Sequence, residues 1–372
     1  MLLSLLATTA LALQTTSANA PFTMEVVADL EHPWAMNFLP DGRMLVTEKA
    51  GQLLVVAADG SDPVEISGVP EVDFGGQGGL GDVILHNDFV TNGMVYLSYA
   101  EAGERNRRGA AVGRGVLNLE TGALEDFEVI WRQNPKVTGR GHFGHRMRMS
   151  PDGEYLFITS GERQKFNPAQ SMKMNLGKII RLRPDGSVPE DNPFYEKGGV
   201  AAEVWTLGMR NPLGLDFDAE GNLWETEMGP LAGDEFQKIE RGENYGYPTV
   251  SNGDHYSRRE IPDHDTRPEF RAPDEWWGPP ALSPSSLEIY EGDTFADWQG
   301  QALIGGLSSQ ALVRVSMSCD TEQDPDGICE VERYELDMRV RGVVEGPEGF
   351  VYLIEDGGSR GGDGRIFKLT PR

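Results

Sequence analysis

Apolar residues recur along the chain at every second position, in short runs that each open on a turn glycine. The first run of each unit reads DGRMLVTE (41–48), NGMVYLSYA (92–100), DGEYLFITSGE (152–162), EGNLWETEMG (220–229), QGQALIGGL (299–307) and EGFVYLIEDGG (348–358). A second run follows each: GQLLVV (51–56), RGVLNLE (114–120), GKIIRLRPDG (177–186), DEFQKIERG (234–242), SQALVRVSM (309–317) and GRIFKLTP (364–371). Alternation at period two, with aromatic and β-branched residues bounded by glycine and aspartate, predicts hairpins. The turn glycines fall at 42, 93, 153, 221, 300 and 349, so the hairpin repeats six times.

Six hairpins at this spacing predict a radial array of sheets: an all-β, six-bladed β-propeller of four-stranded antiparallel blades. A two-layer sandwich does not account for so regular a recurrence. The stretch TMEVVADL (23–30) is suited to complete the last blade and close the ring without a free edge. One domain is expected over 21–372. The unequal spacing places long loops at a channel mouth, where functional residues gather.

Composition sharpens this picture. Forty-six glycines and 23 prolines suit many turns and short strands. The opening MLLSLLATTALALQTTSANA (1–20) has an apolar run ending in Ala-Asn-Ala, which reads as a secretory signal cut after Ala20, although it lacks a basic start. No later stretch is long and apolar enough to span a membrane. A periplasmic or secreted protein is the expectation. Residues 1–20 are uncharged, so the formal net charge of −26 belongs to the rest of the chain. Such a surface repels phosphate backbones and anionic lipid, which argues against nucleic-acid partners. Cys319 and Cys329, ten residues apart, suit a disulfide that staples one loop tip.

The candidate chemistry lies in four segments read as loops: GGQGGLGDVILHNDF (75–89), GHFGHR (141–146), LGMRNPLGLDF (207–217) and EMGPLAGDEFQKIERGENYGYP (227–248). His142 is a candidate base, since imidazole titrates near neutral pH. Arg146 and Arg210 are fixed cations able to stabilise an oxyanion or bind a carboxylate. Arg339 and Arg341 alternate on a strand and share a face, which suits an acidic ligand. Carbonyls at Gly229 and Pro230, with Asp234 and Glu235 beside them, are hard oxygen donors of the kind calcium prefers. Trp276 and Trp277 are equally suited to stacking on a sugar and to packing within a loop.

Taken together these motifs resemble the soluble quinoprotein glucose/sorbosone dehydrogenases, and among them the bacterial aldose sugar dehydrogenases. The resemblance runs from about Phe22 to the C-terminus. It rests on HPWAMNFLPDGRMLVTEKAGQL, GQGGLGDV, HFGHR, LGKIIRLRPDGSVPEDNPF, LGMRNPLGL, GPLAGDE, ENYGYP and RVRGVVEGPEGFVYLIED in the family's order. It implies a six-bladed propeller holding pyrroloquinoline quinone (PQQ) and calcium (Ca2+), which oxidises aldose sugars to lactones. Electrons would pass to a quinone or a periplasmic carrier.

By motif, His142 falls on the base that takes the sugar hydroxyl proton, and Arg210 on the residue that stabilises charge at the quinone oxygen. Gln77 and Asn211 fall on cofactor contacts, and Arg339 and Arg341 on the arginines facing the cofactor's carboxylates. Gly229 and Pro230 fall on the carbonyls that hold the calcium at the quinone. Glu235 and the backbone of Tyr245 fall on a second, structural calcium site. Four departures bear on the pocket. Leu213 replaces an amide, Ser308 and Ser309 stand where some relatives have lysine, PALSPSS lacks a threonine, and His145 replaces a glycine and is expected to narrow the pocket. The alternatives are a propeller that has lost its quinone and binds a carbohydrate or protein, and a calcium-dependent lactonase.

Overall fold

The structure, a computed structural model, describes residues 20–319, 327–357 and 363–372. The expected leader, Ala20 apart, lies outside the described residues.

Six four-stranded antiparallel sheets are arranged as blades, numbered here 1 to 6 from the first blade completed within the chain. Their innermost strands are Pro33–Phe38, Leu80–Leu85, Gly144–Met149, Pro212–Phe217, Pro284–Ile289 and Val340–Glu345. The six turn glycines join each innermost strand to the next strand out. All six have positive φ, between 62° and 85°, where a side chain would be strained. The alternating runs of the sequence form the second and third strands of each blade, as in blade 1 with Met44–Glu48 and Gln52–Val56.

The innermost strands are the part that periodicity did not show. Leu80–Leu85 and Pro212–Phe217 lie inside segments read from sequence as loops, and Gly144–Met149 begins in one, whereas the third strand of blade 4, Asp234–Lys238, is the run DEFQKIERG that alternation predicts. A strand that borders the channel carries polar and glycine residues where an ordinary strand carries an apolar stripe. The candidate residues therefore sit at the junctions where loops enter inner strands, which holds them more rigidly than free loops would.

Ring closure follows the expected scheme. Phe22–Glu31 pairs antiparallel with the C-terminal strand Asp363–Pro371 and becomes the outermost strand of blade 6. Phe22 is fully buried and meets Trp298 and Tyr334 edge-on. Burying such a ring contributes about 1.5–3 kcal/mol, which fixes the N-terminal strand to blade 5 as well. Hydrophobic clusters fill the wedges between adjacent blades, for example Trp224, Phe236, Leu287 and Ile304 between blades 4 and 5. Cys319 and Cys329 form a disulfide across the two outer strands of blade 5.

Candidate active site

Segments leading into the inner strands of all six blades converge on one end of the channel. Trp34, Gln77, Phe143, Asn211, Ser283 and Arg339, one from each blade junction, line a cavity of about 560 Å³ there. Lys49, Arg140, Arg339 and Arg341 give its wall four cations, against the single carboxylate of Asp356.

His142 stands beside this cavity with φ at 48°, just before its inner strand, and is largely buried. Its N–H donates to Gln77 Oε1 at 2.5 Å, which fixes the backbone. Its Nδ1 lies 2.5 Å from Glu162 Oε1, so Nδ1 carries the proton and Nε2 is left as the acceptor. Burial lowers the His142 pKa, Glu162 raises it and Arg210 lowers it, with a net shift below the usual value. The imidazole is therefore neutral at pH 7 and able to take a proton. Glu162 is fully buried and also accepts from the N–H groups of Gln164, Lys165 and Phe166. Burial alone would raise its pKa, but the hydrogen bond from His142 and the added backbone donor hold the carboxyl below its usual range. Sequence reasoning missed Glu162. Its only signal is a charged residue immediately past the apolar strand LFITS.

Arg210 and Asn211 enter from the next blade. Both backbone N–H groups donate to Glu227 Oε2, at 2.6 and 3.0 Å, and Arg210 Nη1 donates to the Met228 carbonyl at 2.5 Å. Arg210 Nε and Asn211 Oδ1 are buried with no partner. Two orphaned polar atoms in adjacent residues at a cavity call for a ligand's oxygen and N–H groups. Arg339 and Arg341 both reach Asp356 Oδ2, at 3.0 and 2.6 Å, so one carboxylate orients two cations at the mouth. Lys49, also missed, donates to the Gly76 carbonyl at 2.5 Å and places an amine in the wall. Ser308 instead bonds Ser283 and the Ala281 carbonyl.

The floor is built by the last two residues of HFGHR. His145 lies on the cavity wall. It lies nearly parallel to Trp34, with ring centres 5.1 Å apart, and its Nδ1 is 2.8 Å from Ser98 Oγ. A Cβ on Gly81 would meet its ring at 2.0 Å, so the glycine makes room for it. Burial, then Arg146, pushes its pKa down to about 3. Arg146 touches the innermost strand of every other blade. It donates to the carbonyls of Leu213 (2.9 Å), Ser285 (2.7 Å) and Arg341 (3.2 Å), pairs with Asp82 and lies 4.0 Å from the Trp34 ring centre. Burial pulls its pKa to about 10, so it remains charged. The residue read from sequence as a cation for an oxyanion or carboxylate is the axle of the whole ring.

The expected metal ligands are placed less favourably. Neither Gly229 nor Pro230 is on the cavity wall, and the Pro230 carbonyl lies against Gly253. Asp234 spends its carboxylate on the N–H groups of Gly229 and Ser283. Glu235 is buried, with its pKa raised by burial and then by Glu227 and Asp234. The Tyr245 carbonyl accepts from His264 Nε2 at 3.0 Å. Among the described residues no group of three or more His, Cys, Asp or Glu is placed to hold a metal. Trp277 is buried with its Nε1 on Glu330, and Trp276 lies on the outermost strand of blade 4, away from the cavity.

A histidine oriented by a buried carboxylate, an arginine beside it and a cation-lined mouth equip this propeller for proton transfer and for an anionic ligand. Its residues 30–368 match the Glucose / Sorbosone dehydrogenase family, and the chain belongs to that family. It is 37% identical to the aldose sugar dehydrogenase YliI of Escherichia coli (strain K12), over 96% of this chain and 95% of that protein. The crystal structure of the soluble aldose sugar dehydrogenase from Escherichia coli in the apo-form superposes with a TM-score of 0.85 at 36% identity, covering 94% of this chain and all of that one. Quinoprotein glucose dehydrogenase B of Acinetobacter calcoaceticus is 25% identical over 89% of this chain and 84% of that protein.

Proposed function

We propose that this enzyme oxidises aldose sugars to lactones with PQQ as its cofactor and passes the electrons to an external acceptor. The observation that carries the reading is the His142–Glu162 pair standing beside the orphaned Arg210 Nε and Asn211 Oδ1. The residues fit the cofactor. PQQ is a tricarboxylate with quinone oxygens, and the wall offers cations at Lys49, Arg339 and Arg341 and the unsatisfied Asn211 Oδ1, with the unsatisfied Arg210 Nε in the residue before it. When bound, PQQ supplies a two-electron acceptor for the hydride at the sugar's C1.

The chain's own residues do the rest. His142 Nε2 accepts the proton of the C1 hydroxyl, and the Glu162 carboxylate stabilises the imidazolium that results. Arg210 offers a fixed positive charge where negative charge develops. Arg146, stacked on Trp34 and bonded to the inner strands, holds the channel walls together beneath the cavity.

Calcium is the second component of the proposal. Glu235 lies in a buried surplus of carboxylates with Glu225 and Glu227, which a cation would relieve. The Gly229 and Pro230 carbonyls do not reach the cavity as placed, so no step is derived through a metal. Export is proposed on residues 1–20. No helix among the described residues is long and apolar enough to cross a membrane.

Titrating the purified protein with PQQ, with and without calcium, followed by absorbance and then a sugar panel with an artificial acceptor, tests the reading. Quinone binding with dye-linked oxidation of glucose-type sugars is expected. A protein that takes up no quinone would sink the proposal in favour of a binding propeller.

A further inference from the structure

Beside the His142–Arg210 pair the chain exposes aromatic rings that the reaction as described does not use. Phe166 is 45% exposed and Tyr256 is 72% exposed. They are joined through Arg210 and Tyr247. Phe166 is 6.5 Å from the Tyr247 ring and 5.6 Å from His255, and the Arg210 guanidinium is 5.9 and 5.8 Å from the rings of Tyr247 and Tyr256. The Tyr256 hydroxyl is 3.4 Å from Arg210 Nη2.

The backbone says that the exposure of Phe166 is imposed. Its φ of 63° and ψ of −86° belong to a rare, strained turn that a bulky L-residue avoids. The strain is held by Glu162, whose Oε2 accepts the Phe166 N–H at 2.6 Å, while Oε1 faces His142. One carboxylate thus fixes the base and presents an apolar ring to solvent. Backbone strain combined with an exposed large apolar side chain at a reacting centre is an arrangement found where the ring meets a ligand.

We propose that Phe166 and Tyr256 form an aromatic wall on which the apolar face of the reacting sugar ring stacks, with its C1 hydroxyl toward His142; this rests on the dehydrogenase reading above. The apolar rings with a hydroxyl and a guanidinium at their edge match a pyranose, which has C–H faces and a polar rim. A flat redox acceptor could use the same rings but has no need of the base beside them.

The test uses the PQQ-loaded enzyme, with kcat/KM measured separately for glucose and for an artificial acceptor. Phe166→Ala and Tyr256→Ala are expected each to lower kcat/KM for glucose about tenfold, or ~1.4 kcal/mol, through KM. The acceptor constant and the melting temperature should hold, and Phe166→Tyr should restore glucose use. Calorimetric titration of gluconolactone into the same proteins gives a readout independent of turnover, with the alanine variants weakened in parallel. Loss confined to the acceptor constant would overturn the proposal, and so would unchanged glucose and lactone constants in both alanine variants. Wild-type enzyme that takes up quinone but oxidises no aldose would overturn the dehydrogenase reading itself, while lactone binding lost in Phe166→Ala would still support the wall.

Discussion

The two ends of the channel carry opposite charge. At the mouth, Lys49, Arg140, Arg339 and Arg341 surround the cavity, with Asp356 as its only acid among the described residues. At the far end, Asp216, Asp218, Glu220, Glu288, Glu291 and Glu345 line a hollow in which Arg148 is the one cation. Arg148 is spent there, on Asp216 at 2.7 Å and Glu288 at 3.1 Å. Between the ends lies Arg146. In a chain of net charge −26, the far end has the sign of the whole and the mouth is the exception. A low-dielectric funnel of one sign concentrates ligands of the other, so an anionic cofactor is drawn to one end only. Composition described the sign of the whole surface, yet said nothing of this local reversal.

The sharpest way to break the contrast is to remove the chemistry of the mouth. His142→Ala should cut kcat by about 10²–10⁴-fold in dye-linked turnover while quinone uptake, read by absorbance, persists. Arg146→Leu should destabilise the fold by about 3–5 kcal/mol in denaturant unfolding, because Asp82 and three carbonyls lose a buried charged partner. Arg341→Gln should weaken quinone binding by ~1.5–3 kcal/mol in an absorbance titration, with a shallower salt dependence than wild type.

Two pH predictions sharpen the comparison further. His142 acts when neutral and its pKa is lowered, so activity should persist below pH 6.5 and fail only as pH drops through the lowered value. Glu162 is the group that raises it, so Glu162→Gln should move that acid limb to still lower pH while reducing kcat about tenfold or more. His145 has the smallest effect. Its folded pKa of about 3 lies below the unfolded value, so the unfolded chain gains a proton first as pH falls from 6.5. Stability should therefore decline over that window. In His145→Asn the melting temperature between pH 6.5 and 4 should depend less on pH. An unchanged slope would show that the histidine is not buried neutral.

What the sequence made legible follows from where each strand sits. Second and third strands are covered on both faces by neighbouring blades and carry plain apolar alternation, so MLVTE and QLLVV announced themselves. Inner strands such as GHRMRM and PSSLEI border the channel, and there polar residues are structural, which disguises strand as loop. Outer strands such as Val64–Glu65 are too short to carry a period. In the site, residues with a motif around them were found, and those acting on another residue were not. Glu162, Glu227 and Asp356 each orient a functional group across the pairing of the two innermost strands of one blade, a relation that exists only once the chain is folded.

The pairing of Phe22–Glu31 with Asp363–Pro371 has a consequence for how this protein comes into being. Thr23 and Thr370 meet across 347 residues of chain. Phe22–Glu31 has no partner until Asp363–Pro371 has been made, so the ring cannot lock before that point of synthesis. Until then the N-terminal segment stays unpaired and available to any machinery that handles an extended chain. Fastening the circle depends on both segments, and deleting Phe22–Glu31 would leave Asp363–Pro371 as an open edge of blade 6.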